Sequence, residues 1–129
     1  MEHSFQMCMV ITTEDITNLL ACEGGGFDYW AEICWDEADY EAARKRLAAK
    51  QSDSILCYED VEAEILEAGG KLKVYDREED KDYELTLAGL LDGFRLFAES
   101  NNSIDLDDMD AAMADQVLQM AVFKEVVYG

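Results

Sequence analysis

Apolar positions recur along the chain with two periods, and each change of period marks an element. Phe5 to Ile11 is apolar and rich in β-formers, which predicts a first strand. Thr12-Thr13-Glu14-Asp15 then reads as a helix start. A Thr hydroxyl accepts an orphan backbone N–H, and acids in the first turn complement the helix dipole. Ile16, Leu19 and Leu20 continue at helical spacing, and Gly24-Gly25-Gly26 stops the helix. Phe27 to Trp35 reads as an aromatic strand, although Trp30 and Ile33 also fit a helix. Asp36 to Lys50 is rich in Ala, Glu, Lys and Arg and predicts a helix, with Glu41 and Lys45 as an i,i+4 pair.

The second half is patterned more sharply. Glu59 to Ala68 predicts a short helix with Val61, Ile65 and Ala68 on one face, closed by Gly69-Gly70. Lys71 to Asp76 alternates, with Leu72 and Val74 on one side, and predicts a half-buried strand. Tyr83 to Thr86 is its expected hairpin partner across the charged stretch Arg77 to Asp82. Leu87, Leu90, Leu91, Phe94 and Phe97 form a helical stripe, expected to be the best-buried helix. After the polar break Ser100 to Ser103, a last helix is expected from Asp107, with Met109, Met113, Val117 and Met120 inward. Val126-Val127-Tyr128 reads as a short closing strand. Glu14-Asp15-Ile16, Leu20 and Gly24-Gly25 are echoed 45 positions later by Glu59-Asp60-Val61, Ile65 and Gly69-Gly70. A helix–Gly-Gly–strand unit is thus written twice, and the glycines have a local reason to recur. The expected fold is α+β: one domain over residues 1–129, with a small antiparallel or mixed sheet packed with four or five helices.

Composition narrows the function classes. The 129 residues include 30 Asp and Glu against 10 Lys and Arg, for a formal charge of −20. Such a chain repels nucleic acid and anionic membrane surfaces, so neither is an expected direct partner. Half the residues are hydrophobic, which sets the chain apart from a disordered acidic tail. His3 is the one histidine, near the terminus, so general-base catalysis from an interior imidazole has no candidate. Cys8, Cys22, Cys34 and Cys57 are irregularly spaced among apolar neighbours, and no basic leader or long apolar run is visible. They read as reduced, mostly buried thiols of a cytoplasmic protein. Gly24-Gly25-Gly26 follows a helix, so it is no phosphate cradle, and no zinc pattern occurs. A calcium loop beginning at Asp105 would have Asp110 at its sixth position and Gln116 at its twelfth; one beginning at Asp76 would have Lys81 and Leu87. Neither fits. No cofactor, metal or catalytic residue is expected.

The placement of charge says more than its sum. Residues 1–43, 51–70 and 99–119 contain acids and no Lys or Arg, while the bases gather in Arg44–Lys50 and Lys71–Lys81. One reading is a solvated acidic surface; a halophilic composition is another. A third is an interaction face that imitates nucleic acid. Duplex DNA carries about one charge per ~1.7 Å of axis, and a protein face of similar density competes for the same basic grooves. Two tracts are the candidate partner-binding surface. The first is Asp105, Asp107, Asp108, Asp110 and Asp115; the second is Glu59, Asp60, Glu62, Glu64 and Glu67. The first is favoured because it follows the polar break and is expected to project from the body. Glu62 lacks a basic i±4 partner, and the Lys71 four residues after Glu67 lies past the Gly69-Gly70 stop, so nothing within the helix accounts for either acid.

Several segments together carry a family resemblance. Thr12-Thr13-Glu14-Asp15-Ile16, Glu23-Gly24-Gly25, Tyr29-Trp30, Gly69-Gly70-Lys71-Leu72, Tyr83-Glu84-Leu85-Thr86-Leu87 with Gly93, and Ala121 to Gly129 resemble a family of small acidic phage and prophage proteins. The chain departs from that pattern between Asp36 and Ser54 and at Gly24-Gly25-Gly26-Phe27. The resemblance implies a phage accessory protein in the bacterial cytoplasm. Such proteins include counter-defence inhibitors of anti-CRISPR and anti-restriction type, whose partner is a host defence protein with a basic nucleic-acid-binding groove. Three alternatives stay open: an assembly or housekeeping protein that binds a partner through apolar residues, a small carboxylate-dependent hydrolase, and, for quaternary structure, a homodimer.

Overall fold

The computed structural model describes residues 1–6, 8–50, 56–101 and 103–129. Among the described residues five helices and a three-stranded antiparallel sheet make an α+β fold. The helices are α1 (Thr13–Leu20), α2 (Glu37–Lys50), α3 (Tyr58–Glu67), α4 (Leu87–Asn101) and α5 (Ala111–Phe123). The strands are β1 (Ala31–Cys34), β2 (Leu72–Asp76) and β3 (Lys81–Leu85), in the order β1-β2-β3. Short 3-10 turns occupy Ala21–Glu23 and Leu106–Asp108.

Local chemistry explains most of the boundaries. Thr12 caps α1 in a capping box: its hydroxyl accepts the Asp15 N–H at 3.2 Å, and the Asp15 carboxylate accepts the Thr12 N–H at 2.8 Å. At α3 the Asp60 carboxylate likewise accepts the Cys57 N–H at 3.1 Å. The echo 45 positions apart thus extends to the way both helices start. Gly69, at φ +89°, ends α3 in the left-handed region, and the Gly70 N–H donates back to the Ile65 carbonyl at 2.8 Å. In the hairpin Leu72 faces Leu85, and Val74 lies between Ile33 and Tyr83. Ala31, Ile33, Leu72, Val74 and Leu85 point into the core. The other face carries Glu32, Lys73, Asp82 and Glu84, all exposed. α4 packs on α5, α5 on β3, and α1 and α2 both pack on α3.

Several expectations are corrected. Phe5 to Ile11 forms no strand among its described residues; Met7 lies outside them. Phe5 is 83% exposed. Two backbone donors of β1 are already taken, because the Ala31 N–H donates to the Phe27 carbonyl and the Ile33 N–H to Glu23 Oε1 at 3.3 Å. β1 itself starts only at Ala31, since Phe27 to Trp30 form a turn. Glu41 pairs with Arg44 at 3.6 Å, one residue short of the expected Lys45. Ala68 lies beyond α3 and is exposed. The best-buried helix is α5, with seven buried residues against three on α4. Leu91 of the α4 stripe is exposed, and Leu87 and Phe97 are half-buried. α4 runs through Asn101 into the expected polar break, of which Asn102 lies outside the described residues. α5 starts at Ala111 instead of Asp107, because Asp110 takes the cap by accepting the Met113 N–H at 2.7 Å. Val126 to Tyr128 form no strand: the Val127 and Tyr128 amides both donate to Gln119 Oε1 at 2.8 Å.

Gly93 lets α4 and α5 approach. A Cβ there would lie 2.6 Å from the Val117 carbonyl oxygen and 2.8 Å from the Ala121 Cβ. Gly93→Ala is therefore expected to destabilise by about 2 kcal/mol in urea unfolding, the clash outweighing the ~1 kcal/mol helix-propensity gain. Gly89→Ala, whose Cβ would meet Thr86 Oγ1 at 3.4 Å, is expected to be neutral or stabilising.

Candidate interaction surface

The ten predicted contact residues fall into different roles once the chain is folded. Asp105 stabilises its own turn, accepting the Asp107 N–H at 3.2 Å, and Asp110 is the α5 cap. Asp107 and Asp108 are exposed, and their side chains make no hydrogen bond or ion pair among the described residues. Asp115 is half-buried. It turns inward and accepts hydrogen bonds from Tyr29 Oη at 2.7 Å, Trp30 Nε1 at 2.7 Å and Gln119 Nε2 at 2.9 Å. The Trp30 ring is fully buried, so its N–H needs that partner. Burial, with help from the Asp115 hydrogen bond, pushes the Tyr29 phenol up to about 12.

The second tract is largely consumed by the fold. Asp60 caps α3. Glu64 is held by Arg46 at 3.1 Å and Lys50 at 3.4 Å, both from α2. Glu62 is fully buried, and neither of its carboxyl oxygens has a hydrogen-bond partner among the described residues. Desolvation, reinforced by Glu23 and Glu59, pushes its pKa up to about 9. One of the 30 acids is thus uncharged at neutral pH and cannot serve as a contact. Glu59 is half-buried, and Glu67 alone in this tract is exposed. The sequence carried a signal for Glu62: Ile65 and Leu66 lie three and four residues on, so it shares their inward stripe.

The fold also brings in acids that spacing did not select. An open cleft of about 540 Å³ is lined by Glu14 and Asp15 from the start of α1 and by Asp105 and Asp107 from the turn before α5. Val10, Ile104 and Leu106 give it apolar patches, and no Lys or Arg lines it among the described residues. Glu14 and Asp15 had a purely local explanation as first-turn acids, which hid their partnership with residues some ninety positions away. The same fold exposes two of the four thiols, Cys8 and Cys57, against the expectation of mostly buried ones. The Cys22 and Cys34 thiols are pushed up chiefly by burial. Among the described residues no group of three His, Cys, Asp or Glu could hold a metal ion, and no helix is long and apolar enough to cross a membrane.

Two stability measurements follow from these roles. Asp115→Ala leaves the Trp30 and Gln119 donors short of a partner and is expected to cost about 3 kcal/mol, whereas Asp107→Ala stays within about 0.5 kcal/mol. Glu62 has a folded pKa of about 9 against an ordinary 4.5. Its proton is bound more tightly in the folded state, so the stability it supports is complete below about pH 4.5 and is lost as pH rises toward 9. The loss reaches about 3 kcal/mol at pH 7. Urea unfolding between about pH 5 and 8 should show this decline in the native chain and not in Glu62→Gln.

Comparison with known proteins finds no match: no family model, no curated protein and no solved structure resembles this chain closely enough to count.

Proposed function

We propose that this protein is a non-enzymatic, phage-borne inhibitor of a bacterial host defence complex, of anti-CRISPR or anti-restriction type. In this reading it acts in the host cytoplasm by offering carboxylates to a basic nucleic-acid-binding groove. The observation that supports it is the cleft in which Glu14 and Asp15 meet Asp105 and Asp107, with exposed Asp108 beside them and no base in the lining. Charge of one sign across a concave surface focuses the field and steers a basic partner. The formal charge of −20 and the resemblance to small acidic phage proteins point the same way. The contact set is accordingly redrawn around Glu14, Asp107 and Asp108, with Glu67 outside the cleft. Glu62, Glu64 and Asp115 are set aside, because the fold already uses them.

A second reading has its own observation. Phe5, Met9 and Val10 are 83%, 52% and 77% exposed, in a stretch that carries no charge from Ser4 to Thr13. An assembly or housekeeping protein that docks by apolar burial would use such a segment, and salt would not weaken that contact.

Binding to purified CRISPR and restriction effectors, in competition with labelled duplex DNA, separates the two. The mimic should displace DNA, and its affinity should fall steeply between about 50 and 300 mM salt. Lysine at Glu14, Asp107 and Asp108 together should weaken binding at least about tenfold, and lysine at Glu37 and Glu41 less than about threefold. Circular dichroism would check that both variants fold. Equal losses from both sets would mean diffuse charge rather than a defined face. Failure to bind any such effector at low salt would end this reading.

A further inference from the structure

α2 buries few of its own residues. Of its 14 residues only Ala43 and Leu47 are buried, whereas α1 buries three of eight. α2 packs on α3, where Arg46 and Lys50 reach Glu64 at 3.1 and 3.4 Å. The same helix α3 carries Glu62, fully buried with both carboxyl oxygens unpartnered among the described residues. The groups coupled to Glu62 by charge are Tyr40 from α2, Glu23 from the turn after α1, and Tyr58 and Glu59 from α3 itself. All are acids or phenols; none can neutralise a carboxylate. A buried carboxyl in such company is stable only while it keeps its proton, and water is the one solvent in which it ionises freely.

We propose that α2 is a displaceable cover on α3, and that ionisation of Glu62 drives its release. Opening lets water reach Glu62, which then sheds its proton. It also frees Glu64 from Arg46 and Lys50, so α3 presents an acidic tract that the closed state hides. α2 is the element to move because little of it is buried: two buried residues, the Tyr40 ring stacked on Trp35 at 4.6 Å, and two ion pairs to half-exposed bases, which solvent screens. α1, which packs on the same helix, is fixed by its capping box and by Ile16, Leu19 and Leu20. The proposal concerns the fold's own motion and holds whichever partner the protein takes.

Amide hydrogen exchange of the full chain, corrected for intrinsic rates, tests it across about pH 5.5 to 8.5. Amides in the interior of α2 should open more readily than those of α5, and their protection should fall about tenfold per pH unit. In Glu62→Gln the α2 slope should vanish, because glutamine cannot ionise. Glu62→Leu should show the same flat profile and serves if the glutamine variant folds poorly. Three results would overturn the proposal: α2 and α5 exchanging together at every pH, a flat α2 profile in the native chain, or an unchanged slope in both variants.

Discussion

A single carboxylate joins parts of the chain that no local rule connects. Asp115 on α5 receives the Trp30 indole and the Tyr29 phenol from the turn before β1. One helical turn later Gln119, fully buried, donates to Asp115 and accepts the amides of Val127 and Tyr128. The tail so fixed places Tyr128 Oη 2.8 Å from Asp76 Oδ2. Asp76 is also fully buried and accepts the Glu78 and Glu79 amides of the β2–β3 turn. The hairpin closes the loop, because the Arg77 N–H donates to the Trp30 carbonyl at 2.7 Å. Around these bonds Trp30, Phe123 and Tyr128 pack with ring centroids 5.1 to 5.9 Å apart. A buried polar network of this kind is stabilising while every member is satisfied, and it specifies one arrangement of turn, helix, tail and hairpin.

The network shows how an acidic chain spends its carboxylates. Some close helices, as Asp15, Asp60 and Asp110 do. Asp115 and Asp76 satisfy buried donors. Asp92 draws Arg95 and Lys124 together, linking α4 to the end of α5, and those two hydrogen bonds hold its pKa below the usual range. Glu62 is withdrawn from the charge altogether. What remains free is a subset, and part of that subset lines the cleft between the start of α1 and the turn before α5. Net charge alone therefore overstates the surface that a partner meets. The placement of the free acids, more than their number, decides where a field can act.

Elements defined by neighbours in sequence were legible. The Thr12 cap, the Gly69 stop, the Leu72–Tyr75 and Tyr83–Leu85 hairpin, and α2 through α4 all follow from interactions within a few residues. The alternation in β2 fixed its register, because a slip by one residue would turn Leu72 and Val74 to solvent. The segments that misled, Phe5–Ile11 and Val126–Tyr128, have strand-like composition, and composition does not supply an edge to pair with. Near β1 that edge is occupied by Phe27 and Glu23, and at the tail by Gln119.

The acids divide along the same line. The sequence by itself determined how many there are, that one histidine near the terminus and no metal-binding spacing accompany them, and which sit in first turns. It could not determine which stay available, because an acid's fate depends on groups distant in the chain. Tyr29 and Trp30 claim Asp115 across 85 residues or more, Arg46 claims Glu64 across 18, and the packing around α3 strips water from Glu62. Hydrogen bonding and desolvation act over a few ångströms of space, not of sequence, so only the tertiary structure decided that Glu14 and Asp107 share a cleft while Asp115 is taken by hydrogen bonds and Glu62 is buried.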